Sequence, residues 1–204
     1  AMAGHPDPPA ATAGQVARRT RTRGLIVAAA TALFAARGVT STSIDDIADR
    51  AGIAKGSVYY NFGSKAGLVE AVLSEHTHLL DEMLEESTRG LTGDARRAAV
   101  VTVLLRAVQD HSDAARVMVA EMFRTERSWR ESTQQWRAII HLRLVDDFLA
   151  ERPDGSQALA SAQAAAITGA ALTAGLDWLA FNPDEPFERV RDAVLASLGL
   201  PVRG

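Results

Sequence analysis

The sequence predicts an all-α protein of about nine helices in two parts, a small N-terminal three-helix domain and a larger C-terminal helical domain. Apolar residues recur at helical spacing along most of the chain, and no segment shows sustained alternation of apolar and polar residues. Aromatic residues make up only 5% of the chain, which gives a β-sheet little support. A composition of 47% hydrophobic and 23% charged residues is typical of folded globular proteins.

Glycines, prolines and polar turn residues set the boundaries between the predicted helices. Residues 1–17 are rich in Pro, Ala and Gly, and we expect them to form a flexible arm. Residues 18–64 form the predicted first domain, and residues 65–204 form the second. The first helix covers residues 19–37, where apolar side chains recur at helical spacing, and Gly38 supplies its C-terminal stop.

Two short helices complete the first domain. Thr42 or Ser43 caps the second helix, and Gly52 interrupts the chain before a third helix at about residues 55–62. Ser64 then caps the long fourth helix, which belongs to the second domain. The fourth and later helices are expected at residues 65–87, 95–110, 113–125, 128–151, 155–181 and 186–198.

The charged residues are unevenly distributed along the chain, although the net charge is only −3. Between residues 15 and 65, eight basic residues stand against three acidic ones, a net of +5, whereas the net charge from residue 66 onward is −7. A basic head on an acidic body favours a nucleic-acid partner for the head. Chance fluctuation of charge along the chain is the alternative.

Composition also limits the cellular compartments and the kinds of chemical site that fit this chain. The chain has no cysteine, which excludes disulfides, Cys-ligated zinc and thiol catalysis and is consistent with a reducing cytoplasm. The N-terminal residues lack the apolar core of a secretory signal. The longest apolar stretch, Ala158 to Leu179, is interrupted by polar residues, so we expect a buried helix there and no membrane span.

The segment Ile44 to Gly63 has the spacing of a helix-turn-helix. Two short helices that cross steeply need a small residue where they approach, a residue tolerant of positive φ in the turn, and an aliphatic side chain that packs inward. Ala48, Gly52 and Val58 meet these three needs. Because these residue types are common, a generic helical hairpin is the alternative.

The second of these helices is unusually rich in hydrogen-bond donors for its length. It carries both tyrosines of the chain, Tyr59 and Tyr60, beside Lys55, Ser57 and Asn61. A tyrosine hydroxyl reaches a phosphate while its ring packs below it. This content favours a DNA-contacting helix over a purely structural one.

At this point the sequence resembles a known family. The run RGVTSTSIDDIADRAGIAKGSVYYNFGSKAGLVEAVL, from Arg37 to Leu73, closely resembles the DNA-binding domain of TetR-type transcriptional regulators. The preceding run LIVAAATALFAARG, from Leu25 to Gly38, is similar to their first helix, with the aromatic Phe34 near its end. The resemblance covers about residues 18–75. The remainder agrees with the family in length and helix count, without a motif.

The resemblance implies a role for each matching residue. The helix beginning at Lys55 would be the recognition helix, lying in the major groove of duplex DNA. Its N-terminal residues Lys55, Gly56 and Ser57 would face base edges and nearby phosphates, with Gly56 allowing close approach of the backbone. Further phosphate contacts are implied for Thr42, Ser43, Tyr59, Tyr60, Asn61 and Lys65. Asn61 is also a candidate for a base contact.

The sequence departs from the family pattern in the first turn of the second helix. Asp45 and Asp46 stand there, where some members carry a basic residue that touches a base. Direct readout would therefore depend mainly on the third helix. Upstream, Arg18, Arg19 and Arg21 either reach an adjacent groove or form a solvated basic tail.

The second domain is expected to mediate dimerisation. In this family the last two long helices form a four-helix bundle across a two-fold axis, which here implies residues 158–181 and 186–198. A homodimer would place two heads on a palindromic operator with half-sites about 34–36 Å apart. The alternative is that both helices pack only on their own subunit.

The middle helices would hold an unidentified small-molecule effector. Methionine and aromatic side chains at helical spacing indicate either such a pocket or ordinary core. The candidate contacts are Met118, Met122, Phe123, Trp129, Trp136, Ile140 and Asp177.

No catalytic or metal-binding arrangement stands out. The chain lacks HExxH, GxSxG and a glycine-rich phosphate loop, and His76 and His78 are two residues apart on a helix, so they point to different faces. We therefore expect no enzyme, no cofactor and no metal. The resemblance favours a repressor released from its operator by the effector. The alternatives are a constitutive repressor and a protein–protein interaction module whose helix-turn-helix is purely structural.

Overall fold

The computed structural model describes residues 13–122, 130–152 and 155–202, and within these ranges the regular secondary structure is entirely α-helical. The three-helix head followed by a helical body confirms the predicted fold class. The described helices are α1 (Ala13–Arg37), α2 (Ile44–Ala51), α3 (Lys55–Phe62), α4 (Lys65–Thr88), α5 (Gly93–Asp110), α6 (Ser112–Met122), α7 (Arg130–Glu151), α8 (Gln157–Phe181) and α9 (Phe187–Ser197).

Helix α1 begins earlier than the sequence pattern predicts. It starts at Ala13, so residues 13–17 are helical and the arm expected over 1–17 is wrong for these positions. Ala13, Gln15 and Ala17 in this stretch are good helix formers, and the Thr20 hydroxyl donates to the Val16 carbonyl at 3.1 Å. The rest of the expected arm, and the expected helix ends between 123 and 129, lie outside the described residues.

The head has a small core of its own. Ile26 and Phe34 of α1, Ile47 of α2 and Val58 of α3 are at most 3% exposed. Burial of four such side chains is worth several kcal/mol by area bookkeeping, at about 1.5–3 kcal/mol each. The core therefore holds α2 and α3 in a fixed relation to α1.

Two helices connect the head to the body. Helix α4 begins beside α3, where the Ser64 hydroxyl accepts a hydrogen bond from the Gly67 amide at 3.0 Å, and runs into the body. Helix α6 of the body packs directly against α1. Farther along α4, the guanidinium group of Arg143 on α7 lies 2.9 Å from the Asp81 carboxylate and 3.2 Å from the Glu85 carboxylate. A displacement of either α4 or α6 therefore reaches the head.

Helices α5 and α8 form the centre of the body. They approach closely at Gly175, where an added Cβ would lie 3.1 Å from Val108 Cγ1. Helix α9 crosses both of them, and the Trp178 indole donates to the Glu185 carbonyl at 3.0 Å in the connection between α8 and α9.

Helix α8 is long and apolar enough to cross a membrane by length and composition alone. It lies in the bundle, packed against α5, α6, α7 and α9, which favours a core helix. Only a third of its most apolar stretch is buried, so one face of α8 stays uncovered in the monomer.

Candidate nucleic-acid interface

The turn between α2 and α3 is built as the spacing predicts. Ala48 and Val58 are 3% and 1% exposed where the two helices meet. Gly52 ends α2 in the left-handed conformation, with φ +65°, which an L-residue rarely adopts. The Ile53 amide then donates to the Ala48 carbonyl at 3.0 Å. This turn fixes the angle at which α3 leaves α2.

Helix α3 presents opposite faces to the core and to solvent. Val58 faces inward, whereas Tyr59 and Tyr60 are 46% and 76% exposed. Lys55 and Gly56 are also exposed, and a Cβ added to Gly56 would meet nothing within 4 Å. Most of the residues predicted to contact DNA on this helix therefore share one open surface.

The structure corrects the predicted role of Thr42. Its side chain is buried, at 1% exposure, and its hydroxyl donates to the Gly38 carbonyl at 2.9 Å. A side chain in this position does not reach a phosphate. It instead closes the turn between α1 and α2, because its hydroxyl satisfies a main-chain carbonyl that burial would otherwise leave unpaired.

Ser43 is the residue that caps α2. Its hydroxyl accepts from the Asp46 amide at 3.0 Å, and the Asp46 carboxylate accepts from the Ser43 amide at 2.9 Å. This is a capping box. Hydrogen bonds from the Ser43 hydroxyl and amide lower the pKa of Asp46. Ser43 is exposed, but a phosphate would compete with Asp46 for its hydroxyl.

The two lysines of the predicted interface are both engaged. Lys55 Nζ lies 2.8 Å from the Asp45 carboxylate, which raises the lysine pKa through a hydrogen bond and charge attraction. Lys65 donates to the Thr40 carbonyl at 3.2 Å. Asp45 was expected only to weaken base readout by α2, so its contact with the recognition lysine is a finding of the tertiary structure.

Asn61 lies against its own helix. Its amide nitrogen donates to the Ser57 carbonyl at 2.8 Å, and the Asn61 main-chain carbonyl accepts from Arg23 at 3.2 Å. The side-chain oxygen is buried without a hydrogen-bond partner. In this rotamer Asn61 is not directed toward a base, so its predicted base contact would require the side chain to turn.

The N-terminal half of α1 flanks α3. The Arg19 guanidinium lies 5.7 Å from the centre of the Tyr60 ring, and that of Arg23 lies 4.5 Å from the centre of the Phe62 ring. Cation–π contacts of this kind orient both partners. Sequence reasoning left Arg19 between two alternatives and did not single out Arg23. The only available signal was the run of four arginines without an acidic neighbour.

The body contains a small apolar cavity between α4, α5, α6 and α8. Its volume is about 40 Å³, and Met118 is the one predicted effector contact among the described side chains that lines it. His76 and His111 also line it, with ring centres 6.2 Å apart. Burial, together with the nearby His111, lowers the pKa of His76. Sequence reasoning missed this pair because His76 lies on α4 and His111 in the turn between α5 and α6, far apart in the chain.

The other predicted effector contacts lie elsewhere. Ile140 is buried at 1% exposure but does not line this cavity. Asp177 is exposed beside an open groove between α8 and α9, so the structure does not bring it to the cavity. Phe123 and Trp129 lie outside the described residues, as do the side chains of Met122 and Trp136.

Comparison with known proteins identifies the N-terminal part of the chain. Residues 26–72 match the family described as "Bacterial regulatory proteins, tetR family". The chain is 39% identical over 112 residues to the HTH-type transcriptional repressor KstR2 of Rhodococcus jostii, which covers 54% of this chain and 53% of that protein. It is 32% identical over 109 residues to the HTH-type transcriptional activator FasR of Mycolicibacterium smegmatis, covering 53% of this chain and 50% of that protein. The matches thus span about half the length of these curated relatives.

The fold is similar over a much larger part of the chain. A transcriptional regulator FadR from Bacillus subtilis, solved in complex with stearoyl-CoA, superposes with a TM-score of 0.68, covering 86% of this chain and 96% of that one at 18% identity. Identity at this level shows the fold alone. The helix-turn-helix segment is thus matched in sequence to the TetR family of bacterial regulatory proteins, and the chain as a whole has the helical fold of this solved regulator.

Proposed function

We propose that this protein is a homodimeric, sequence-specific DNA-binding transcriptional repressor that a small molecule releases from a palindromic operator. The observation that carries the proposal is the outer face of α3. That face presents Lys55, Tyr59 and Tyr60 to solvent, on a helix anchored from behind by Val58. A protein that used this helix only as structure would not need these donors.

The relatives support a regulator over a protein–protein interaction module. Those that match the head are named transcriptional repressors, activators or regulators. Because FasR is named an activator, repression is the part of the proposal that needs its own test. The proposed place of action is the cytoplasm, where bacterial DNA lies.

The uncovered face of α8 supports the homodimer. Ala162, Ala166, Gly169 and Thr173 are spaced at helical intervals along this face, and they are exposed or nearly so. Small side chains allow two helices to approach closely, and an apolar exposed face is typical of a partner surface. A second copy of α8 and α9 against this face would form the four-helix bundle that the family resemblance implies.

The cavity supports a ligand-driven switch through its size and position. Sites for small molecules usually enclose about 300–1,000 Å³, so a cavity of about 40 Å³ must open to admit one. Its walls belong to α4 and α6, the two helices that connect body and head. Opening the cavity displaces these helices, changes the spacing of the two heads, and weakens operator binding by about tenfold for each 1.4 kcal/mol of coupling.

Selection of random duplex DNA by the purified protein tests the proposal. We expect a palindromic product with half-sites about one helical turn apart, bound with a steep dependence on salt. The same operator placed across a promoter in a reporter then distinguishes repression from activation. Enrichment of no sequence, or binding that ignores salt, would contradict the DNA-binding function.

A further inference from the structure

The N-terminal half of α1 is helical but contributes no buried side chain to the core. From Ala13 to Leu25 no side chain is buried, and the buried residues of α1 begin at Ile26. Helices shorter than about 12–15 residues are marginal in water when they lack packing. This half also carries Arg18, Arg19, Arg21 and Arg23 with no acidic residue. Core packing within the subunit therefore does not account for this charged surface.

A groove separates this half of α1 from the recognition helix. It has a volume of about 560 Å³, with Arg18, Arg19 and Thr22 on one wall and Ser57 and Tyr60 on the other. Among the described residues, none that lines it is acidic. The contact between Arg19 and the Tyr60 ring bridges the two walls, so the groove and the recognition helix are held together as one surface.

We propose that this groove binds the sugar–phosphate backbone of DNA beside the recognition helix, with Arg18 and Arg19 neutralising phosphates. The proposal rests on the DNA-binding function proposed above and extends the interface beyond the helix-turn-helix. A helix that lies in the major groove has a sugar–phosphate strand on each side of it. A basic, donor-lined groove beside that helix is complementary in charge to such a strand.

Backbone binding has a distinctive thermodynamic signature. Each neutralised phosphate contributes about −0.9 to the slope of log Kobs against log salt concentration. Two contacts in each head of a dimer therefore contribute about −3.6. Because phosphates carry no sequence information, the contribution is the same on operator and on random duplex.

The test compares the full-length protein with the double variant Arg18→Ala, Arg19→Ala. We expect the variant to reduce the steepness of the salt slope by about 3 to 4 and to weaken operator and random duplex by the same factor, about tenfold or more at 0.15 M salt. Ethylation interference on the selected operator should lose about two phosphates in each half-site and keep the others. Alanine retains helix propensity, and circular dichroism verifies that α1 is intact.

Two further variants serve as controls. The pair Arg89→Ala, Arg152→Ala removes the same charge from exposed positions at the ends of α4 and α7, and it should leave the slope and the interference pattern unchanged. The pair Arg18→Lys, Arg19→Lys keeps the charge and should restore the slope. Failure of the lysine pair to restore it would overturn the assignment to phosphates, as would a loss seen on operator but not on random duplex.

The outcomes separate this inference from the proposed function. If the unmodified protein selects no DNA, both fail together. If it binds operator with a steep salt slope while the Arg18→Ala, Arg19→Ala variant shows the same slope and the same interference pattern, the groove is not a DNA surface and the proposed function stands.

Discussion

Two exposed helical faces of this protein differ in chemistry, and the difference indicates what each one binds. The outer face of α3 carries Lys55, Tyr59 and Tyr60, whose polar groups point away from the core. The outer face of α8 carries small residues such as Ala166 and Gly169. The first face suits a charged, hydrated partner that needs donors. The second suits another helix, because small side chains permit close packing.

Exposure alone therefore does not distinguish a DNA surface from a subunit surface. In the proposed function each face depends on the other, because a single head would offer few base contacts and a dimer would join two heads at fixed spacing. The predictions below act on one face at a time and are ordered from the largest expected effect to the smallest.

The largest effect is expected from Gly169→Arg, which places a long charged side chain on the uncovered face of α8. An added Cβ at Gly169 meets nothing within 4 Å in the monomer, so the subunit should fold normally. The dimer should dissociate, and operator affinity should fall by roughly 100-fold or more because the second head loses its high effective concentration. Sedimentation velocity and operator titration measure the two effects.

Ala150→Arg, on the exposed end of α7, is the matched control for Gly169→Arg. A Gly169→Arg variant that stays dimeric would exclude this face of α8 as the interface.

The next largest changes in DNA affinity are expected from two substitutions on α3. Tyr60→Phe removes one hydroxyl and should weaken binding to every duplex by about tenfold, since a hydrogen bond to a charged group contributes about 1.5–3 kcal/mol. Lys55→Ala should also change which sequence is preferred. Binding arrays over single-base operator variants measure both. Equal losses on every sequence from both variants would contradict the separate roles.

A smaller effect of opposite sign is expected from Asp45→Asn. The Asp45 carboxylate holds Lys55 Nζ at 2.8 Å, so DNA must compete with it for the ammonium group. Removing its charge should raise affinity for random duplex about two- to fivefold, as expected for an exposed ion pair, and reduce the preference for operator. Asp49→Asn, on the exposed side of the same helix, removes an equal charge without touching Lys55. If both variants raised affinity equally, the effect would be one of net charge.

The smallest effect is expected from Gly24→Ala, which alters neither face. Gly24 is exposed inside α1, and a Cβ there would meet nothing within 4 Å. Alanine should raise the free energy of unfolding by about 0.5–1 kcal/mol through helix propensity alone. Gly38→Ala should do the reverse, because Gly38 has φ +80°. Urea denaturation of both variants measures the difference, and destabilisation by Gly24→Ala would indicate a contact that α1 makes elsewhere.

The helix-turn-helix was predictable because its determinants are close together in the chain. Ala48, Gly52 and Val58 lie on one short segment of the chain. Their residue types and their spacing were therefore enough to predict the two helices and the turn between them. The exposed donors of α3 followed from the same pattern. The predicted start of α1 was wrong. Composition suggested a flexible arm over residues 1–17, although Ala13, Gln15 and Ala17 are helix formers and α1 begins at Ala13.

The apolar cavity of the body was less predictable because it joins distant segments. His76 and His111 are 35 positions apart in the sequence, and only the packing of α4 against α5 places their rings 6.2 Å apart. No periodicity within one helix contains that information. The same holds for Asp177, a candidate effector contact from the sequence that is exposed in the folded chain.

The sequence by itself determined the helical fold class, the helix-turn-helix and the donor-rich third helix, because each depends on local spacing. Tertiary structure decided which of those side chains are exposed and which are already paired with another residue of the chain. Thr42 and Ser43 are equivalent caps in sequence, yet packing buries Thr42 and leaves Ser43 exposed. Likewise, only the folded chain pairs Lys55 with Asp45 and lays Arg19 beside Tyr60. The partner of a side chain depends on which distant segment folds against it, and spacing along one segment does not record that.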